Sequence, residues 1–266
     1  VPTLSEKFSD LRRRGEKALV LFLTAGDQPP HELSELIKFL ADVGADVIEI
    51  GVPFSDPFGE GPTIQASSQR ALDHGATPRV ILSEISKLKS QVPLVTMGYY
   101  NPVLRYGLDA FAQASHFAGV SGTIISDLVP DEAEEWCAAS AKHQLETIFL
   151  VAPTSSDERI RQVANRSTGF VYVVSRTGVT GAENQVPDDV SQLVEKVRAL
   201  TNKPVCVGFG ISTPEHVKMV CRVADGAVVG SALVQRLHSD WPNNKERVAE
   251  FVRTLKEATL SHTSPQ

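Results

Sequence analysis

The stretch DVIEIGVPFSDPFGEGPTIQ, Asp46 to Gln65, decides how this chain is read. It joins a short apolar run, Val47, Ile48 and Ile50, to a glycine-rich loop, and a helical pattern follows from Thr63. Run, loop and helix in that order make one βα unit. A single carboxylate, Glu49, stands inside the run. Successive strand residues face opposite sides of a sheet, so Glu49 projects from a strand whose neighbours are suited to burial. Burial disfavours the ionised form, which lifts the proton affinity of Glu49 into a range useful for acid and base work. A glutamate at a strand end, solvated or paired with a lysine, is the competing reading of the same residues.

The pattern recurs along the chain. Strand candidates are Ala18 to Leu23, Asp46 to Ile50, Pro93 to Met97, Gly122 to Ser126, Glu146 to Val151, Phe170 to Val174, Pro204 to Gly208 and Gly226 to Gly230, eight in all. Amphipathic stretches lie between them, among them HELSELIKFLADVG, DEAEEWCAASAKHQ, DERIRQVANR, DDVSQLVEKVRALTN and PEHVKMVCRV, each opened by residues suited to a helix start. Eight such units without a break in composition predict an α/β fold, a (β/α)₈ TIM barrel, in preference to an open doubly wound sheet. Further helical patterns decorate it: Leu4 to Arg14, Thr63 to Asp73, Pro78 to Ser90 and Lys245 to Thr259. No linker divides the chain, so residues 1–266 are expected to form one barrel domain, with residues 261–266, SHTSPQ, a frayed tail.

Composition narrows the function. At 266 residues and 42% hydrophobic content the chain can bury a large core. A formal net charge of −6, with no run of lysine or arginine, argues against nucleic acid or an anionic membrane as partner. Cys137, Cys206 and Cys221 are few, odd in number and lack metal-ligand spacing, so free thiols in a reducing cytoplasm are expected and no metal site is. No segment approaches the roughly 20 apolar residues needed to cross a bilayer, so a soluble protein is expected.

In barrels the reactive groups sit where strands end and βα loops begin. Here those loops include Thr24 to Asp27, the stretch after Ile50, Ser175 to Glu183, and Gly208 to Ser212, with Val229 to Leu233 closing the last strand. Glycines in the last three let the backbone approach an anion, and amides at a helix start point their N–H groups outward. Gly178, Gly181, Gly208, Gly210 and Gly230 are therefore candidates for a phosphate cradle, with Ser231 assisting; tight turns are the alternative use of each. No cationic clamp is evident, so backbone dipoles would carry most of the attraction.

FLTAGD, DVIEIGVPFSDPFGEGPTIQ, GFVYVVSRTGVTG, KPVCVGFGIS and VVGSAL, in this order along nearly the whole chain, resemble the tryptophan synthase α-subunit family. The resemblance implies cleavage of indole-3-glycerol phosphate into indole and glyceraldehyde 3-phosphate, a retro-aldol reaction needing no metal or organic cofactor. Glu49 matches the family's principal acid/base residue. Glu60 falls where the family usually has an aspartate that accepts or polarises the indole N–H; this chain reads GEGP where ADGP is usual, which sets the carboxyl one methylene farther out. Tyr172 matches a tyrosine near the catalytic glutamate, and Tyr99 one that lines the indole pocket. Phe22, Ile64 and Leu128 offer apolar surface for the ring. Thr180 matches a residue of a loop that closes over substrate, and Gly181, Phe209, Gly210, Gly230 and Ser231 the phosphate contacts. The implied partner is a β subunit bearing pyridoxal phosphate, so the cofactor is expected on that chain and none on this one. The loops Asp56 to Pro62 and Tyr100 to Arg105 are the interface candidates.

Other readings stand beside this one. A stand-alone indole-forming lyase of the same family needs no partner. A weakly catalytic regulatory subunit would bind a phosphate ligand and activate its partner, as the departure at Glu60 suggests. A sugar-phosphate isomerase or epimerase on the same kind of barrel is more distant, because such enzymes usually need a differently placed acid/base pair or a metal.

Overall fold

A computed structural model describes residues 1–174, 188–208 and 210–260. Its strands are β1 (Ala18–Thr24), β2 (Val47–Gly51), β3 (Leu94–Gly98), β4 (Gly122–Ile125), β5 (Glu146–Ile148), β6 (Leu150–Val151), β7 (Val171–Val174), β8 (Val205–Gly208) and β9 (Gly226–Val229). They form one parallel sheet in the order β5-β4-β3-β2-β1-β9-β8-β7-β6. The two ends of that order, β5 and β6, are separated only by Phe149, so the sheet closes on itself through a single broken stave. Eight expected strands thus become nine. At Phe149 the stave passes from pairing with β4 to pairing with β7, and the Phe149 amide donates to the Ser167 hydroxyl (3.2 Å). The closed parallel sheet with its helices is a TIM barrel, as expected.

Period-two alternation sorts the side chains. Ala18, Val20 and Phe22 of β1, with Val47, Val95, Met97, Ile124, Ile148, Tyr172, Cys206 and Val228, belong to the cluster inside the barrel. Leu19, Leu21 and Leu23, with Ile48 and Ile50, belong to the cluster between sheet and helices. Glu49 shares the parity of Val47 and therefore points inward. Pairing sets Phe22 beside Glu49 and Glu49 beside Val95.

The floor of the barrel is the helix Leu4–Arg14, which the sequence suggests only as a decoration. Leu4, Phe8 and Leu11 lie on one face of it and are buried in the inner cluster. Thr3 and Glu6 cap its start reciprocally, and Gly15 ends it in the left-handed conformation (φ 70°). An aromatic column rises from this floor, Phe8 to Phe170 (5.9 Å between centroids) and Phe170 to Tyr172 (6.2 Å).

Most helices fall where periodicity places them: Leu33–Asp42, Pro62–Asp73, Pro78–Ile85, Glu134–Lys142, Asp157–Arg166, Asp188–Arg198, Pro214–Val223 and Lys245–Leu260. The third stops five residues before the expected Ser90, and turns carry the chain on to β3. The segment 100–105, read from sequence as a loop, belongs to the short helix Tyr100–Tyr106. Leu108–Ala118 and Ser231–Asp240 are further helices without a sequence expectation here. The tail at 261–266 lies outside the described residues.

Candidate active site

Glu49 sits at the bottom of a cavity of about 280 Å³ at the carboxyl ends of the strands. It is 1% exposed, and neither carboxylate oxygen has a hydrogen-bond partner among the described residues. Burial, and after it the nearby charge of Glu60, pushes its pKa up to about 8. Glu49 is therefore mostly protonated near neutrality and can give up a proton to whatever enters.

Glu60 reaches the same cavity from the loop between β2 and the helix Pro62–Asp73. Three contacts hold this loop: the Glu60 amide donates to the Pro57 carbonyl (3.0 Å), the Gly59 amide to the Tyr99 hydroxyl (3.1 Å), and the Gln65 side chain to the Glu60 carbonyl (2.8 Å). Partial burial raises the Glu60 pKa. Two carboxyls of different burial facing one cavity are suited to divided acid and base roles.

The cavity's walls are of two kinds. Phe22, Ile64, Met97 and Tyr172 surround the carboxylates with apolar and aromatic surface, while Gly210, Ile211, Ser212, Gly230, Ser231 and Ala232 bring backbone from the turns after β8 and β9. The amide-bearing start of the helix Ser231–Asp240 belongs to this second wall, with Gly230 as its cap. No lysine or arginine is among the described lining residues. An anion there would be met by helix-end amides and hydroxyls. One half of the cavity thus suits a flat apolar ring and the other a compact anion.

Phe22, Glu49, Glu60, Ile64, Tyr172, Gly210, Gly230 and Ser231, singled out in the sequence, come together around this space. Tyr99 lines instead a small adjoining gap of about 20 Å³ shared with Glu60 and Ile64, where it packs against Phe54 (5.3 Å) and Phe58 (5.4 Å). Leu128 is buried in the cluster between sheet and helices and is not a wall of the cavity. Asp56 is exposed on its loop. Thr180, Gly181 and Phe209 lie outside the described residues, as does Gly178.

Two of the highlighted segments have structural work. Asp27, from the loop after β1, is buried in a two-pronged ion pair with Arg70 (2.6 and 3.0 Å), and His74 bonds the Gly26 carbonyl (2.8 Å). This clasp fixes the helix that carries Ile64. Gly208 leaves room for Tyr172: a β carbon on it would lie 2.2 Å from the tyrosine hydroxyl. Burial raises the Tyr172 pKa well above its ordinary value, with Glu49 and Glu60 adding to the effect, so the hydroxyl stays protonated.

Met97, Val228 and Gln235 also line the cavity without having been singled out in the sequence, while Ser212 and Ala232 come from the two glycine-bearing loops named there. Alternation could have found the first two, since Met97 follows Val95 by two on β3 and Val228 follows Gly226 on β9. Gln235 stands one helical turn beyond Ser231, a signal available only once that helix is recognised. Among the described residues no group of three or more His, Cys, Asp or Glu could hold a metal ion. The three cysteines are free, with Cys206 and Cys221 buried.

Known proteins share this sequence and this fold. The sequence profile of the family described as Tryptophan synthase alpha chain matches residues 8–261. The tryptophan synthase alpha chain of Geobacter sulfurreducens is 49% identical over 254 residues, 94% of this chain and 96% of that one. That of Citrifermentans bemidjiense is 48% identical, covering 97% of each. Among solved structures, tryptophan synthase from M. tuberculosis in its aminoacrylate-bound form superposes with a TM-score of 0.87 at 36% identity, over 96% of this chain and 98% of that one. Tryptophan synthase subunit alpha from Legionella pneumophila gives 0.88 at 33% identity, over 96% and 97%. Profile, sequence relatives and superposed barrels converge over nearly the full length, and the chain belongs to the tryptophan synthase alpha chain family.

Proposed function

We propose that this chain cleaves indole-3-glycerol phosphate into indole and glyceraldehyde 3-phosphate. The observation that carries the reading is Glu49: an inward-facing carboxyl without a hydrogen-bond partner among the described residues, its pKa pushed up to about 8, at the base of a cavity walled on one side by apolar side chains and on the other by glycine-bearing turns and a helix start. An aromatic carbon is a poor leaving group, so the bond from indole C3 to the side chain breaks only after C3 is protonated. In this reading Glu49 donates that proton, and the indolenine then accepts the electron pair of the breaking bond. The Glu49 carboxylate so formed takes the proton of the adjacent side-chain hydroxyl as the aldehyde carbonyl forms. One carboxyl serves both transfers and is restored at the end.

Glu60, as a carboxylate, accepts the indole N–H and stabilises positive charge developing on the ring. Phe22 and Ile64 hold the ring, and the Tyr172 hydroxyl stands beside the reacting carbon. The phosphate rests on backbone of Gly210 and Gly230 and on Ser231, with Thr180, Gly181 and Phe209 assigned to the same end by resemblance. Proton transfers alone balance the reaction.

The partner in this reading is a β subunit bearing pyridoxal phosphate. Phe58 is 72% exposed and Leu104 52% exposed, on the segments that follow the adjacent strands β2 and β3. Apolar side chains left open beside the cavity mouth suit a protein surface. Residues 1–266 act as one barrel domain, and free thiols suit a reducing cytoplasm. The departure at Glu60 supports a second reading, a weakly catalytic subunit whose task is to activate the partner.

Indole release, measured alone and with a tryptophan synthase β subunit added, separates these readings. Partner-dependent release is expected. High release alone identifies a stand-alone lyase, and activation of the β reaction without indole release identifies the regulatory subunit.

A further inference from the structure

A second cavity, of about 430 Å³, opens at the opposite end of the barrel, where the strands begin. One wall is the floor helix Leu4–Arg14, which presents Ser5, Ser9 and Arg12 at spacings of four and three, one face of a helix. The other wall is formed by the turns leading into β7 and β8, with Thr168, Asn202 and Lys203. Buried Phe8 lies between them, and a cavity of about 240 Å³ continues past Arg12 toward Gly15.

The charges around this space do not cancel. Asp225 is matched by Lys17 (3.6 Å) and Arg198 (3.2 Å), and Glu16 by Arg14 (3.4 Å) and Lys256 (3.5 Å). Glu146 accepts from the Leu4 amide (2.9 Å) and the Ser5 hydroxyl (3.0 Å). Arg12 has no acidic partner among the described residues, and the Lys203 ammonium donates to the neutral carbonyl of Ala164 (3.1 Å). No carboxylate lines the larger cavity. Arg12 and Lys203 are therefore the charged residues that line it, both cationic, with hydroxyls and an amide around them and the Glu146 carboxylate set behind Ser5.

We propose that this basal cavity binds a small metabolite carrying a phosphate or carboxylate, its oxyanion between Arg12 and Lys203 and its body over Phe8. The guanidinium fork fits two oxygens of such a group, while Lys203 acts as a point charge and Ser9 and Asn202 complete its hydrogen bonds. A molecule seated there ties the floor helix to the turns before β7 and β8. Binding to the folded chain alone stabilises it, so occupancy raises the unfolding temperature.

The test is a titration of the ¹⁵N-labelled chain with inorganic phosphate and, separately, succinate at matched ionic strength, followed by amide shifts. Saturable shifts at Ser9, Arg12, Asn202 and Lys203 are expected, and the tighter of the two probes identifies the head group. Arg12→Gln should weaken that affinity by about tenfold or more, while shifts at Gly230 and Ser231, from the barrel mouth, stay as in the parent chain. Lys203→Gln is the second variant; Arg12 is exposed, so Arg12→Gln alone decides if the lysine variant fails to fold. Shifts confined to the mouth, shifts that never saturate, or basal shifts that survive Arg12→Gln unchanged would overturn the proposal.

Discussion

The hydroxyl of Tyr172 occupies the place a side chain on Gly208 would need: an ideal β carbon there falls 2.2 Å from the hydroxyl oxygen and 2.8 Å from the ring. β7 and β8 pair side by side, so the missing side chain on one strand is what admits the aromatic side chain on the other. Tyr172 in turn closes the cavity beside Glu49. A glycine that reads in sequence as a phosphate turn is thus a spacer for an aromatic wall.

Gly208→Ala is expected to destabilise the fold by about 1–3 kcal/mol through overpacking. In a Tyr172→Ala background the same substitution should cost little, because the obstructing ring is gone. Denaturant unfolding of the four chains checks this. Additive effects would mean that the two residues do not compete for space.

The two carboxyls set opposite limbs of a pH profile. Glu49 must hold its proton to act as an acid, so kcat/KM should fall as pH rises through about 8. Glu60 must be ionised, and since burial raises its pKa the acid limb should lie above the ordinary glutamate range. A rate that stays flat through the alkaline limb would contradict the assignment of Glu49.

Stability follows the same titration. Glu49 binds its proton more tightly in the fold than in the unfolded chain, so its contribution is fully present below the ordinary value of 4.5 and is lost as pH rises through about 8. Glu49→Gln removes that loss and should be the more stable protein at alkaline pH, by a margin on the order of a few kcal/mol. Urea unfolding at acid and alkaline pH measures it, and parallel losses in both chains would argue against a buried, titrating Glu49.

Glu60→Asp should keep or raise turnover, since it restores the carboxyl to the distance usual in the family, while Glu60→Ala should lower turnover by about 100-fold or more. Steady-state kinetics with saturating partner compares them. Unchanged turnover in both variants would remove Glu60 from the chemistry.

Removing Arg70 leaves the buried Asp27 carboxylate without its counter-charge. Arg70→Met is expected to cost about 2–4 kcal/mol, with Arg70's own water contact keeping it below the full effect of a wholly buried pair. Thermal or denaturant unfolding reads the loss; a change within error would mean that the clasp contributes no stability.

How much of this is written in the sequence differs from element to element. Strands were legible because their period of two and their bounding turns are local; Asp46 to Ile50 differs from β2 (Val47–Gly51) by one residue at each end. The break at Phe149 is not local: there the stave changes its pairing partner from β4 to β7, and the Phe149 amide meets the hydroxyl of Ser167, eighteen residues farther along the chain. Parity put Glu49 on the face opposite Ile48 and Ile50, and only the closed sheet shows that face to be the barrel interior. The floor helix was legible as a helix but not as a floor, since Leu4, Phe8 and Leu11 find their partners in strands far along the chain. Tyr99 shows the same limit: the resemblance implies a pocket wall, and its hydroxyl holds the loop that delivers Glu60. Gly208 needed the β7–β8 register before its purpose could be seen.

The central claim is that Glu49 moves the proton that lets indole leave. Its most direct test is indole release from indole-3-glycerol phosphate by the parent chain and by Glu49→Gln, each saturated with substrate and partner subunit. The account predicts a fall in turnover of at least about 100-fold, with substrate still bound. A glutamine variant that releases indole within a few-fold of the parent rate would contradict it.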